Sequence, residues 1–341
     1  MSDPTFGLLA FHFPEVKSLN RLRFLLGRVV QGVLALFVIV TLNFLLIRAA
    51  PGDPVAVMAG EAGAVDARFL ESLRILYGLD QPLYVQWWTY ISRIATLDFG
   101  FSYRQQETVA HLITDRLPAT LLLTICAFVF SLVVGVGLGV LSSRRPGGWV
   151  DRIIGFAALI FYAAPMYWLA LMAVLVFSIH LGWLPAFGYS SVGANLTGMA
   201  AVADVARHLI LPTLALSFFY VAIYARMTRA NMIAMSQMAF VKTARAKGAG
   251  ETRIQFRHVL RNALLPVVTL AGLQAGNMVG GAIMTETVFA WPGIGRLMFD
   301  ALLQRDYNLL LGAFLMAAAL AITFNIITDI VYTLIDPRIA L

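Results

Sequence analysis

Charge is scarce in this chain. Only 13% of its 341 residues are Asp, Glu, Lys or Arg, about half the roughly 25% of an ordinary soluble domain. With 60% apolar residues and a mean hydropathy of +0.80, the composition is that of a membrane protein. Cysteine is nearly absent. Cys126 stands alone in an apolar segment, which excludes an intrachain disulfide and leaves the redox compartment unread. The histidines, His12, His111, His180, His208 and His258, are scattered without metal-ligand spacing. H-E-x-x-H and G-x-S-x-G are missing, so no familiar hydrolytic set is present. The phosphate-binding G-x-x-x-x-G-K-[ST] loop is missing too. If ATP drives this protein, another chain must bind it.

What the chain has is long apolar runs. Six segments are long enough to span a bilayer, which takes roughly 20 apolar residues. They lie at about 27–48, 117–141, 153–179, 208–226, 263–285 and 308–334. The expectation is an all-α protein with six transmembrane helices. Residues 1–26 form a tail, and 27–341 the membrane domain. The apolar run after Arg28 is longer than a signal-peptide core and lacks a small-residue cleavage site, which marks it as a resident span. The fourth segment is the shortest, with Pro212 in its first turns.

Lys and Arg set the expected orientation. With the N-terminus inside, the inner side carries 16 Lys and Arg and the outer side 9, while the acids divide 6 to 12. Both termini are then cytoplasmic. The net charge of +7 becomes a topology signal, not a nucleic-acid footprint. A long outer loop, 49–116, opens with the turn Pro51-Gly52-Asp53-Pro54 and carries Tyr84, Trp87, Trp88 and Tyr90, suited to a helix at the lipid–water boundary.

The inner loop, 227–262, holds the longest polar run, centred on FVKTARAKGAGETRIQFRHVLRNALLP at 240–266. It is rich in helix formers and broken by Gly248 and Gly250, which reads as helix, turn, helix, with Gly248 in a backbone conformation of positive φ. Arg253, Arg257 and Arg261 recur every four residues and give the second helix a basic edge. A solvated connector that only fixes orientation would look similar. The specific residues TARAKG (243–248) and RHVLRNALLP (257–266), however, resemble the cytoplasmic coupling loop of ABC-importer permeases. PGDP, GLDQPL, DFGFSYR, the stretch from Glu286 to Tyr307, and IDPRI at 335–339 resemble the B-type subunit of the dipeptide/oligopeptide permease family. The general importer motif has Glu-Ala-Ala where this chain has Lys242, Thr243 and Ala244, a departure shared with the peptide branch.

That resemblance implies the type I importer permease fold and a cytoplasmic-membrane location. It implies that Thr243, Ala244, Arg245, Ala246, Lys247, Gly248, Arg257 and Asn262 meet an ATPase subunit. It also implies a heterodimer with a second, homologous permease, two ATP-binding subunits that hold ATP and Mg, and an extracytoplasmic solute-binding protein. No cofactor is expected on this chain. Peptides are the implied substrate, although relatives carry glutathione, nickel chelates or sugars.

Polar groups inside spans tend to face protein or water. Tyr162 and Tyr167 flank Pro165 in the third span, and Tyr220 and Tyr224 are one turn apart in the fourth. Gln274, Asn277 and Thr285 share roughly one face of the fifth. Together they form a candidate polar path for substrate; interhelical hydrogen bonding is the alternative use. Asn325 and Asp329 lie one turn apart in the sixth span, and Asp329, seven residues from Asp336 and so near the inner interface, reads as a structural hydrogen-bond partner and not a proton relay. An ion-coupled secondary carrier would instead show mid-depth carboxylates and inverted repeats, and neither is evident in the sequence.

Overall fold

The structure, a computed structural model, describes residues 14–49, 75 and 80–335. The PGDP turn, the first residues of the tail and Asp336 lie outside the described residues. Helix α1 runs Pro14–Ala49, and α2 runs Leu83–Ala95. A two-residue hairpin, β1 (Phe101–Ser102) and β2 (Glu107–Thr108), is the one departure from all-α among the described residues. Then follow α3 (Val109–Ser143), α4 (Trp149–Ala163), α5 (Met166–His180), α6 (Met199–Ser236), α7 (Ala239–Ala246), α8 (Glu251–Val288), α9 (Ile294–Gln304) and α10 (Tyr307–Ile335).

All six expected spans correspond to helices, with two corrections. The third is not straight: α4 and α5 meet at 110°. Pro165 has no N–H to continue the helix, and it pushes Ala164 to an extended ψ of 137°. The fourth, expected over 208–226, is α6, a helix of 38 residues that extends well beyond both expected bounds. Charged residues do not end it. Asp204 instead takes the backbone N–H of Ser191 at 2.6 Å and its hydroxyl at 2.7 Å, and Arg229 is paired near the other end.

Helices α3 and α6 form the centre. They approach closely because Gly135 and Gly139 leave room: a Cβ at Gly135 would lie 2.7 Å from Tyr224, and one at Gly139 2.7 Å from the Ala225 carbonyl. Leu123, Ala127, Leu216, Tyr220, Tyr224, Val267, Met278 and Trp291 fill the core between α3, α6 and α8. A second cluster, including Val109, Ile113, Ile294, Leu297 and Leu309, joins α3, α9 and α10 at the end opposite the basic loop. Gly276 of α8 abuts Asn325 of α10, while Gly280 has open space around it.

Helix α1 leans on α10, where Arg28 pairs with Asp329 at 3.2 Å, so Asp329 is a structural partner as expected. Helix α2 is the aromatic helix. Trp87 packs on Phe37 and donates to Thr41 at 3.3 Å, while Tyr84 and Trp88 stay exposed. Large apolar side chains such as Val33, Leu34, Leu45, Leu46 and Phe156 cover the outside, as a lipid-facing surface requires.

Candidate functional site

The polar loop between α6 and α8 is almost entirely helical. Helix α6 continues to Ser236 and α8 starts at Glu251, so the stretch outside the two long helices is 237–250 and not the whole of 227–262. Arg226 and Arg229 therefore lie on α6, and Arg253, Arg257 and Arg261 on α8. Within α8 the turn Ile254–Val259 is π-helical, a widening that often marks functional regions.

Helix α7 is short and would not persist alone in water. Tertiary contact holds it. Val241, 1% exposed, inserts between Val140, Met232, Ile254, Val259 and Ala263, with Ala244 and Ala249 packed alongside. The other side of α7 presents Lys242, Thr243, Arg245, Ala246, Lys247 and Gly248 to solvent. Its C-terminus is closed by a Schellman arrangement: Gly248 N–H donates to the Arg245 carbonyl at 3.0 Å, and Ala249 N–H to the Ala244 carbonyl at 3.2 Å. That closure requires φ of +78° at Gly248, the left-handed value expected there.

Arg245 reaches across this turn and grips Glu251 with two hydrogen bonds, 2.6 Å and 3.0 Å long. Those bonds hold the guanidinium above its ordinary pKa, so it is charged throughout the accessible range. Arg144, at the end of α3, stacks over Phe256 with 5.7 Å to the ring centre. Between these groups lies a polar cleft of about 620 Å³, lined in part by Ser143, Gln237, Arg245, Thr252 and Gln255. Arg257 and Asn262 are exposed on α8, where Asn262 bonds the His258 carbonyl of its own helix at 2.7 Å. They lie beyond the turn and outside α7.

A neighbouring contact was not anticipated from sequence. Asp151, in the first turn of α4, takes two hydrogen bonds from Arg229 of α6, one from Ser142 and one from the Gly147 backbone N–H. This carboxylate fastens the short α3–α4 connection to α6. Its signal in the sequence was the lone acid among Arg144, Arg145 and Arg152, which the orientation argument absorbed.

The candidate path residues divide into two groups. Tyr220, Tyr224 and Thr285 are buried inside the bundle, Tyr224 completely, and Thr285 contacts Met166 and the Gly281 carbonyl. Tyr162, Tyr167, Gln274 and Asn277 reach the surface to differing degrees. Tyr162 stacks on Phe219 with centroids 5.3 Å apart, and Arg226 lies 5.8 Å from its ring. Asn277 donates to Gln274 at 3.0 Å, so the two amides form one polar spot on an otherwise apolar face that includes Leu273 and Met284.

Comparison with known proteins bears on this arrangement. A family model described as "Binding-protein-dependent transport system inner membrane component" matches residues 135–341, and its N-terminal companion matches 21–124. The chain is 38% identical to the dipeptide transport system permease protein DppB of Alkalihalophilus pseudofirmus, covering 87% of this chain and 93% of that one. It is 37% identical to the oligopeptide permease protein AppB of Bacillus subtilis, covering 93% and 98%. It is also 37% identical to the glutathione permease protein GsiC of Escherichia coli, covering 93% and 99%. In three dimensions it resembles a chain of the inward-facing MetNI methionine ABC transporter, with a TM-score of 0.52 over 66% of this chain and 96% of that one, at 19% identity. That likeness speaks to the fold.

Proposed function

The chain belongs to the family of binding-protein-dependent transport system inner membrane components, and on that premise we propose that it is one half of a peptide-conducting channel. It is a multi-pass inner-membrane permease subunit and is not itself a catalyst. Short peptides are the proposed cargo, on the strength of the dipeptide and oligopeptide relatives. Glutathione, itself a modified tripeptide, is the second candidate because the glutathione relative is as similar as the oligopeptide one.

The observation that carries the mechanism is α7, a short helix seated by Val241 with its polar side exposed. In the proposed arrangement that side docks on an ATP-binding subunit, and ATP with Mg is held there. A second homologous permease completes the channel, and an extracytoplasmic binding protein delivers cargo. The termini and α7 lie in the cytoplasm, as the distribution of Lys and Arg favours. ATP-driven closure of the two ATP-binding subunits then draws the two α7 helices together, and the long helices convert that displacement into opening on the other side. This is a two-state element biased from both ends. The exposed amides of Gln274 and Asn277 and the ring of Tyr162 are proposed to face the path.

The test is reconstitution. The chain should co-purify with a second permease and two ATP-binding subunits, and vesicles holding the complex should take up labelled di- or tripeptide only with binding protein and ATP. Uptake of glutathione in preference to peptides would select the second cargo. Saturable ATP binding by the purified chain alone would overturn the subunit reading.

A further inference from the structure

The end of the molecule opposite α7 contains a buried carboxyl group that the proposed function does not use. Glu286, in the last turn of α8, has 0% exposure. Its Oε1 accepts the Thr120 hydroxyl of α3 at 2.7 Å. Its Oε2 accepts the backbone N–H groups of Gly295 at 2.7 Å and Arg296 at 3.2 Å, in the first turn of α9. Thr120 in turn accepts the Ile294 N–H at 2.8 Å, and the buried Trp291 indole donates to the Ala119 carbonyl at 2.8 Å. Gly293 has no room for a side chain, because a Cβ there would overlap the Glu286 carboxyl group.

A helix usually satisfies its first N–H groups with its own N-cap side chain. Here Gly293 occupies that position and has no side chain to offer. The acceptors come instead from two other helices, so one carboxyl group bonds three elements together. The same helix, α8, begins at Glu251, which Arg245 of α7 grips from the other side. Thus α8 is bonded to α7 at one end and to α3 and α9 at the other. Helix α9 turns exposed apolar side chains, Phe299, Leu302 and Leu303, away from the bundle.

We propose that Glu286 is a positioning residue that makes the end of α8, Thr120 of α3 and α9 move as one body, so that displacement of α7 reaches the outer rim of the channel. This rests on the importer reading above. In that reading the rim is where loaded binding protein is met, and the clamp carries the signal in both directions. Rigid, fully satisfied buried networks are suited to such transmission, and a shared two-state element is the physical requirement for coupling.

The experiment uses the complete complex in lipid nanodiscs, with Cys126→Ala and spin labels at Leu273→Cys on α8 and Leu303→Cys on α9, both exposed positions. In the parent, the α8–α9 distance should be narrow and equal in the nucleotide-free and ATP-trapped states. Glu286→Gln should leave assembly and receptor-independent ATP hydrolysis within twofold, broaden that distance, and lower stimulation by peptide-loaded binding protein at least fivefold. Thr120→Val removes the hydroxyl that both donates to Glu286 and accepts the Ile294 N–H, two bonds of the network, and should show the same effects at smaller amplitude, while Thr120→Ser keeps the hydroxyl and should behave as the parent. Unchanged stimulation and a narrow distance in Glu286→Gln would overturn the proposal. If that variant fails to assemble, normal coupling in Thr120→Val would do so. A parent complex without receptor stimulation counts against the importer reading, and the label distances still decide the clamp.

Discussion

Arg245 and Glu251 hold each other across the turn at Gly248, through two hydrogen bonds between the last turn of α7 and the first residue of α8. Both side chains are more than half exposed, at 57% and 70%, so the pair adds little to global stability. Its effect is geometric. Together with the Schellman closure it fixes the angle at which α7 leaves α8. The guanidinium is therefore occupied within the chain, and an account in which Arg245 reaches a partner's carboxylate must first release Glu251.

Charge exchange separates these two uses. Arg245→Glu alone places two carboxylates together and should loosen the turn, reducing co-purification of the ATP-binding subunits. The double variant Arg245→Glu with Glu251→Arg rebuilds the pair with its poles reversed. If the pair is internal, the double variant should recover most of the lost association. If it associates as poorly as Arg245→Glu, Arg245 acts directly on a partner. The comparison belongs at low and moderate salt, because exposed charges are screened within about 10 Å at 0.1 M.

Gly248 supplies a second test of the same turn. No neighbour lies within 4 Å of a Cβ built there, so any cost of substitution is conformational. A β-branched residue at φ of +78° should cost about 1–2 kcal/mol locally, whereas Asn tolerates the left-handed region. Gly248→Val should therefore reach normal membrane levels but respond poorly to loaded binding protein in ATP hydrolysis, and Gly248→Asn should behave nearly as the parent. Equal behaviour of the two variants would show that the turn geometry is irrelevant to coupling.

The sequence made the spans legible because each needs a long apolar run, and a run of that length has few other uses. It also exposed the α7 turn, since Gly248 punctuates a region otherwise rich in helix formers. The bend at Pro165 was open to the same reasoning, yet the apolar run continues unbroken through it and hides the change of direction. The bonds of Asp151 to Arg229 and of Glu286 to Thr120 join residues 78 and 166 positions apart. No local pattern encodes such partners. Burial of the tyrosines was hidden for a related reason: Tyr224 packs against α3 where Gly135 makes room, and the Tyr220 hydroxyl comes within 4 Å of where a Cβ at Gly281 of α8 would lie, both facts of packing between helices.

The α3–α6 contact yields a stability prediction with an internal control. At Gly139 a new Cβ would lie 2.5 Å from Thr228 and 2.7 Å from the Ala225 carbonyl, and the backbone atom cannot step aside. Gly139→Ala should destabilise the protein by about 1–3 kcal/mol, the usual cost of overpacking. Gly137, two residues away, meets nothing within 4 Å. Gly137→Ala should be neutral or slightly stabilising, by up to about 1 kcal/mol from helix propensity. Thermal unfolding of the two variants in one detergent measures the contrast, and equal midpoints would contradict the packing described.

Transport assays can sort the polar residues of the spans. Gln274 and Asn277 share one hydrogen bond at the surface of α8 and are surrounded there by Leu273, Gly280 and Met284. A solitary pair of amides on an apolar face is costly against lipid unless it meets water, cargo or another protein. Tyr224, by contrast, is fully buried against Gly135. Asn277→Leu should therefore change the rate or selectivity of peptide uptake while the complex assembles normally, and Gln274→Leu should act in the same direction. Tyr224→Phe keeps the ring that fills the core, and it should leave selectivity unaltered whatever it does to stability. The decisive comparison is uptake of a matched set of peptides by all three variants, normalised to assembled complex. If the two amide variants assemble poorly but the remaining complex transports with parental selectivity, the pair serves a subunit interface. If both assemble and transport as the parent does, the proposed path does not pass this face of α8.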